Sequence, residues 1–321
     1  MNWGIMGTGT IAHRFAEALN YDKNAVLYAC ASRTEEKAEA FRKAFGVRKA
    51  YGSYEAMAAD PDVDIIYVAT PMSAHYDNVR LCFEHNKAVL CEKAVTETAA
   101  EFAGLAAMAR SRKLFFMEAM WMKCHEGFRQ ALSWVREGRI GKLQSVRADF
   151  SKFLTYDPES RLFKKELGGG ALLDLTVYTT AFCTAFLGNE PSQIFSCQAP
   201  TPAGTDYYNS TLMTYPDGTF AAMNAGFGYY TPVSGIILGD RGRIEFDEFF
   251  IRHNNVTLYN DRGEAVERFE KPFGCNGYEG EAAEAERCLR EGLTESPLVP
   301  LDDSLAVLKI LDAIRACWQQ S

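Results

Sequence analysis

Near its N-terminus the chain reads Asn2-Trp3-Gly4-Ile5-Met6-Gly7-Thr8-Gly9-Thr10-Ile11-Ala12. The first five residues form a short apolar run. Ile11, Phe15, Ala18 and Leu19 then recur at helical spacing. Between run and helix stands a G-x-G-x-x-A turn. Alone the pattern is weak; after a strand and at the head of a helix it is a dinucleotide-binding fingerprint. Gly7 permits the tight turn, Gly9 lets the backbone approach a pyrophosphate, and Ala12 lets the helix pack close to its sheet. The helix N-terminus offers N–H groups and the positive end of its dipole to the phosphates.

The alternation continues outward from this turn. Strand signals fall at residues 25–31, 65–69, 88–91 and 114–117, separated by helical faces near 35–46, 74–84 and 98–112. Such spacing predicts right-handed crossovers and a parallel sheet. After about residue 122 the character changes. A helix over 126–135 precedes strand signals at 145–153, 193–197, 210–215, 220–227, 234–238, 243–246 and 256–259. One apolar helix, 171–186, interrupts that series, and helices near 278–291 and 302–317 close the chain. The predicted fold class is α/β: an N-terminal Rossmann dinucleotide-binding domain over residues 1–121, then an α+β domain over 122–321, to which the family resemblance given below adds substrate binding and dimerisation. The second domain is expected to carry a large, mostly antiparallel open sheet, and the final helix is a candidate to pack back near the first domain.

The 321 residues, 47% hydrophobic and 24% charged, suit about two globular domains rather than a disordered or fibrous chain. A formal charge of −8 argues against nucleic acid or an anionic membrane surface as partner. No uninterrupted run of 18 apolar residues occurs, so no transmembrane helix is expected. The N-terminus shows no signal-peptide pattern. Nine scattered cysteines without a C-x-x-C read as free thiols, and a cytoplasmic location is expected. Histidines and cysteines never cluster at ligand spacing, so no metal site is expected.

At the end of the second strand an Asp or Glu would hold the ribose hydroxyl of NAD. Here Ser32-Arg33 stands instead. A guanidinium pairs bidentately with a 2′-phosphate and a serine hydroxyl donates to it, so NADP is the expected cofactor over NAD. In the plainer reading Ser32 caps the next helix, within the capping-box spacing Ser32-Arg33-Thr34-Glu35, and Arg33 is a surface charge. Further candidates lie where parallel strands end: Thr70-Pro71-Met72-Ser73-Ala74-His75, Glu92-Lys93-Ala94 and Met117-Glu118-Ala119-Met120-Trp121. In the sheet-rich half, Gly168-Gly169-Gly170-Ala171-Leu172-Leu173-Asp174-Leu175-Thr176-Val177-Tyr178 opens the apolar helix. Asp174 and Tyr178, four apart, would share one helical face.

With these motifs (G-x-G-x-x-A, T-P-x-x-x-H, the E-K of E-K-P, and G-G-G-A-L-L-D) the sequence resembles the Gfo/Idh/MocA oxidoreductase family over almost its whole length. The M-E-A-x-W segment and Tyr178 resemble the dimeric dihydrodiol dehydrogenase and NADP-dependent xylose dehydrogenase branch. The resemblance implies a hydride transfer between nicotinamide and a secondary alcohol or carbonyl of a sugar, polyol or cyclic diol. It implies that Lys93 contacts the reacting hydroxyl, that Asp174 lies at the substrate, and that Tyr178 is the acid/base. It also implies that His75 and Trp121 surround nicotinamide and substrate, and that a homodimer forms through the C-terminal sheet. Ala94 and Glu126 stand where the family usually has prolines. The cofactor set is then Gly7, Thr8, Gly9, Thr10, Ile11, Ser32, Arg33, Thr70, Pro71, His75, Glu92 and Lys93, with Phe153 and Tyr156 as further substrate candidates. Plainer readings stay open: a solvated Lys93, Asp174 as a helix-terminal acceptor, Tyr178 and Trp121 as core, His75 at the surface. Two other functions also remain, an NAD-dependent inositol or sugar dehydrogenase and a non-catalytic dinucleotide sensor.

Overall fold

The structure, a computed structural model, describes residues 1–23, 25–252 and 254–319 and divides into two compact units. The first unit carries six strands: β1 (Asn2–Met6), β2 (Val26–Ala31), β3 (Lys49–Tyr51), β4 (Ile65–Val68), β5 (Ala88–Glu92) and β6 (Phe116–Ala119). They pair in parallel in the order β3-β2-β1-β4-β5-β6. The strand order reverses between β1 and β4, the switch point at which such sheets bind ligands. Helices α1 (Thr10–Tyr21), α2 (Glu35–Phe45), α3 (Tyr54–Ala58), α4 (His75–Glu84) and α5 (Ala99–Arg112) link the strands. All of β4 and β5 is buried, as expected of strands covered on both faces. Thr98 and Glu101 close a reciprocal capping box on α5, and Gly46 ends α2 in the left-handed region.

The second unit holds α6 (Glu126–Arg136) and β7 (Leu143–Ser151), then a π-helical turn, Leu172–Thr176, that runs into α7 (Val177–Leu187). Seven strands follow: β8 (Gln193–Pro200), β9 (Asp206–Thr214), β10 (Phe220–Gly226), β11 (Ser234–Gly239), β12 (Gly242–Phe246), β13 (Val256–Asn260) and β14 (Ala265–Phe269). The eight-stranded sheet runs β14-β13-β12-β11-β7-β10-β9-β8, antiparallel except for the β7–β10 pair. One face buries Val146, Ala148, Met213, Met223 and Ile237, and Phe182 of α7 packs among Phe128, Phe246 and Phe250. The opposite face carries exposed apolar side chains, with Phe195 paired to Leu212 and Leu212 to Ala222.

One helix resembles a membrane span by composition alone, and the expected domain boundary changes. Lys165–Leu187 is long and apolar enough to cross a membrane, although glycines and threonines break up any purely apolar run. Of its most apolar window 78% is buried inside the fold, which is how a core helix sits. The domain boundary also moves. The first unit comprises Met1–Cys124 and Phe273–Asp302, the second His125–Pro272 and Asp303–Ser321. The segment that returns to the nucleotide unit is therefore α8 (Glu279–Arg290), whereas most of the final helix, α9 (Leu301–Trp318), belongs to the second unit. The reason is burial: α8 sinks Glu281, Ala282 and Ala285, and Glu286 accepts a 2.9 Å hydrogen bond from the Trp3 indole of β1. In α9, Trp318 donates to Ser196 of β8.

Candidate active site

At the dinucleotide turn, Gly7 has φ +103°, and a Cβ there would lie 2.7 Å from the Ala69 carbonyl oxygen. Only glycine fits that conformation without strain. Gly9 is the N-cap of α1, with no side chain capping the helix and open space where a Cβ would stand. No acidic residue occupies the first turn of α1. An uncapped, exposed helix end behind bare backbone is the cradle a pyrophosphate fits. Thr8 donates to the Ser32 hydroxyl at 3.3 Å. The cap of α2 is Thr34, which accepts from the Lys37 N–H, and not Ser32. Ser32 is thereby left facing the turn, with exposed Arg33 beside it.

The ends of β4 and β5 are tied together. The His75 ring is buried, its Nδ1 is 3.0 Å from the Ala94 carbonyl and its Nε2 is 2.8 Å from the Thr70 carbonyl. His75 thus fastens one loop to the other, which the surface reading did not anticipate. Thr70 is buried and accepts from Asn78, while Pro71 is exposed. Glu92 is buried; it accepts from the Tyr67 hydroxyl and from the Lys93 N–H at 3.3 Å. Burial raises its pKa, outweighing the hydrogen bond from Tyr67 and the Lys93 charge. The Lys93–Ala94 peptide is cis, and Lys93 is half-buried at the carboxyl edge of the sheet.

Sequence reasoning missed a second carboxyl in this region. Glu281 of α8 is fully buried, and neither of its carboxyl oxygens has a hydrogen-bond partner. Burial, then the charge of Glu92, hold its pKa well above the ordinary range. Trp121 is 4% exposed and stacks on Tyr278 at 4.4 Å between ring centroids.

In the second unit Asp174 lies in the π-helical turn and Tyr178 in the first turn of α7, so the shared α-helical face expected for them is a π-to-α junction instead. Such turns concentrate at functional sites. Gly170 has φ +116°, and a Cβ there would come 2.2 Å from Asp206 Oδ1. Asp206 accepts from Asn209, whose amide also donates to Thr176, and these bonds hold the turn. Burial lifts Asp206 to a pKa of about 6. Asp174 accepts from Lys152 Nζ at 3.0 Å, and Phe150 packs on the Tyr178 ring at 5.7 Å. Lys152 was missed, although it follows Val146, Ala148 and Phe150 at the two-residue period of the buried face. Phe153, one residue on, projects to the other side and is 66% exposed; Tyr156 packs on Phe163. Among the described residues no group of three or more His, Cys, Asp or Glu side chains is placed to hold a metal.

Residues 1–120 match the family model for the oxidoreductase family, NAD-binding Rossmann fold, and residues 128–245 match the GFO/IDH/MocA C-terminal domain. The trans-1,2-dihydrobenzene-1,2-diol dehydrogenase of Mus musculus is 33% identical over 328 residues, covering 98% of this chain and 96% of the relative. Among solved structures, the 3-ketoreductase KijD10 from Actinomadura kijaniata, in complex with NADP and TDP-benzene, superposes with TM-score 0.88 at 26% identity. That match covers 99% of this chain and 98% of the other. An aldose-aldose oxidoreductase from Caulobacter crescentus shares the fold, with TM-score 0.89 at 21% identity, over 100% and 98% of the two chains.

Proposed function

The chain belongs to the GFO/IDH/MocA family of oxidoreductases, and on that premise we propose that it is an NADP-dependent dehydrogenase/reductase. Its substrates in this reading are secondary alcohols, or the matching carbonyls, of sugars, polyols or cyclic diols. The observation that carries the reading is Lys93, half-buried at the carboxyl edge of the dinucleotide sheet, its backbone N–H held by Glu92. Gly7, Thr8, Gly9, Thr10 and Ile11 hold the pyrophosphate on the N-terminus of α1. Ser32 and Arg33 hold the 2′-phosphate, a reading supported by the transfer of the α2 cap to Thr34. The nicotinamide, when bound, accepts hydride from the carbinol carbon.

The residues of the chain do the rest. The Lys93 ammonium donates to the substrate oxygen and stabilises the charge that grows on it. The substrate hydroxyl proton passes to the Tyr178 oxygen, the C–H bond supplies the hydride, and a C=O bond forms. In reduction Tyr178 returns the proton. Asp174 accepts from a substrate hydroxyl and fixes its orientation. A tyrosine of ordinary pKa near about 10 is a weak base at neutral pH, so a cation must favour its anion.

The exposed Phe195, Leu212, Phe220 and Tyr208 on the outer face of the second sheet support a homodimer formed through that face. None of the nine cysteines is in a disulfide among the described residues, which supports the reading of a reducing cytoplasm. The test is turnover of sugars, polyols and cyclic diols followed by the absorbance of reduced nicotinamide with NADP or NAD. Tyr178→Phe is expected to lower kcat by roughly 10²–10⁴-fold while NADPH still binds. Arg33→Ala is expected to weaken NADPH, and not NADH, by about 10-fold or more. A Tyr178→Phe enzyme with wild-type kcat/KM and pH profile removes the acid/base assignment.

A further inference from the structure

Lys152 has no place in the motifs that identify the family, yet it meets Asp174. Its ammonium lies 3.0 Å from Asp174 Oδ2 and 5.3 Å from the centre of the Phe227 ring. The backbone around it extends the β7–β10 pairing: Lys152 N–H donates to Gly226 and Leu154 N–H to Phe227. Its direction is therefore fixed by the strand alternation that also puts Phe150 against Tyr178.

Stability is a poor reason for this pair. The Lys152 side chain is 39% exposed and that of Asp174 18%, and ion pairs so open to water contribute little to folding. Nor does the π-helical turn depend on Lys152, because the hydrogen bonds among Thr176, Asn209 and Asp206 already hold it. What the pair does offer is a three-proton donor and a carboxylate acceptor side by side at a partly open surface. Two neighbouring hydroxyls match that arrangement: one donates to the carboxylate while the adjacent oxygen accepts from the ammonium.

We infer that Lys152 is a specificity-determining residue that, with Asp174, selects substrates bearing a hydroxyl on the carbon next to the reacting one. The inference rests on the oxidoreductase reading above and adds the structural feature its substrates must carry. A lone alcohol leaves the ammonium without its second acceptor, and losing one charge-assisted hydrogen bond lowers kcat/KM by about 10- to 100-fold.

The experiment compares two substrate pairs that differ only in that hydroxyl: trans-cyclohexane-1,2-diol against cyclohexanol, and D-glucose against 2-deoxy-D-glucose. Wild type, Lys152→Met, Lys152→Gln and Lys152→Arg are assayed with NADP, and NADPH binding by fluorescence checks that each variant is folded. Wild type is expected to prefer the vicinally hydroxylated member of a pair by about 10- to 100-fold. Lys152→Met and Lys152→Gln should collapse that preference, chiefly through the hydroxylated substrate, and Lys152→Arg should restore part of it. An equal loss on both members of a pair, or an unchanged ratio, overturns the assignment while leaving the oxidoreductase reading intact. A wild type that binds NADPH yet turns over none of the four compounds overturns both.

Discussion

Glu281→Gln isolates the buried carboxyl pair of the nucleotide unit. Glu281 is fully enclosed without a hydrogen-bond partner, and Glu92 beside it is also held above the ordinary carboxylate range, with Glu118 adding to that rise. The other titratable groups coupled to this cluster include Tyr67, Tyr278, Lys93 and Cys91. A raised carboxyl means that the folded chain keeps a proton which the unfolded chain releases above about pH 4.3. Stability is then full below that pH and falls as pH climbs toward the folded-state value. One retained proton costs up to about 1.4 kcal/mol per pH unit. The loss accumulates from about pH 4.3 upward and levels off where the folded carboxyl itself ionises. Glutamine keeps the shape and cannot ionise, so this slope disappears. Its buried amide costs roughly 1–3 kcal/mol where unbonded, but that offset is the same at every pH. Urea unfolding of the full chain at three pH values between about 5 and about 7 should therefore move in favour of the variant as the pH rises, by up to about 1.4 kcal/mol per pH unit. Parallel curves for wild type and variant would mean that Glu281 ionises freely, and the reasoning would be wrong.

Other perturbations follow from the backbone, the caps and the thiols. Gly170→Ala forces a left-handed conformation and a clash with Asp206, and urea midpoints should show a loss of roughly 2–4 kcal/mol. Gly9→Ala has φ −82° and open space, so stability should hold while NADPH titration shows weakened binding. Thr34→Ala should lose about 1 kcal/mol of stability as the true cap of α2, whereas Ser32→Ala should act on NADPH affinity; the reverse pattern would return the cap to Ser32. A disulfide reagent should modify Cys197 and Cys275 first in the native protein, and Cys275 the more slowly, since burial and the charge of Glu279 raise its pKa. Rapid modification of buried Cys30 or Cys82 would contradict the packing.

The sequence carried the nucleotide turn and most strands because their signals are local. Glycine spacing and the apolar run Ile65–Val68 can be read without knowing what lies beyond them. β3 escaped because Lys49-Ala50-Tyr51 is a short, half-buried edge strand with no apolar alternation. β14 escaped because Ala265–Phe269 is an almost wholly exposed edge with charges along it. Residues that depend on distant packing were less legible still. Glu281 sits in a helix that also carries Glu279, Glu284 and Glu286, a composition that reads as a solvated face. Its burial comes from docking near Trp3 and Glu92, residues far away in the chain. Trp121 fits an aromatic lining and a core stack equally well in the sequence, and Tyr278, the ring it stacks on, lies far along the chain.

The nucleotide unit is discontinuous in the chain, and this bears on synthesis. A growing polypeptide that has emerged only as far as Cys124 has all six parallel strands but lacks the acceptor for the Trp3 indole, which arrives some 160 residues later with Glu286. The ribosome must therefore deliver the intervening sheet before the first half can finish, while the first half waits with that flank uncovered. A gene fragment stopping at residue 121 would inherit the same exposed flank permanently.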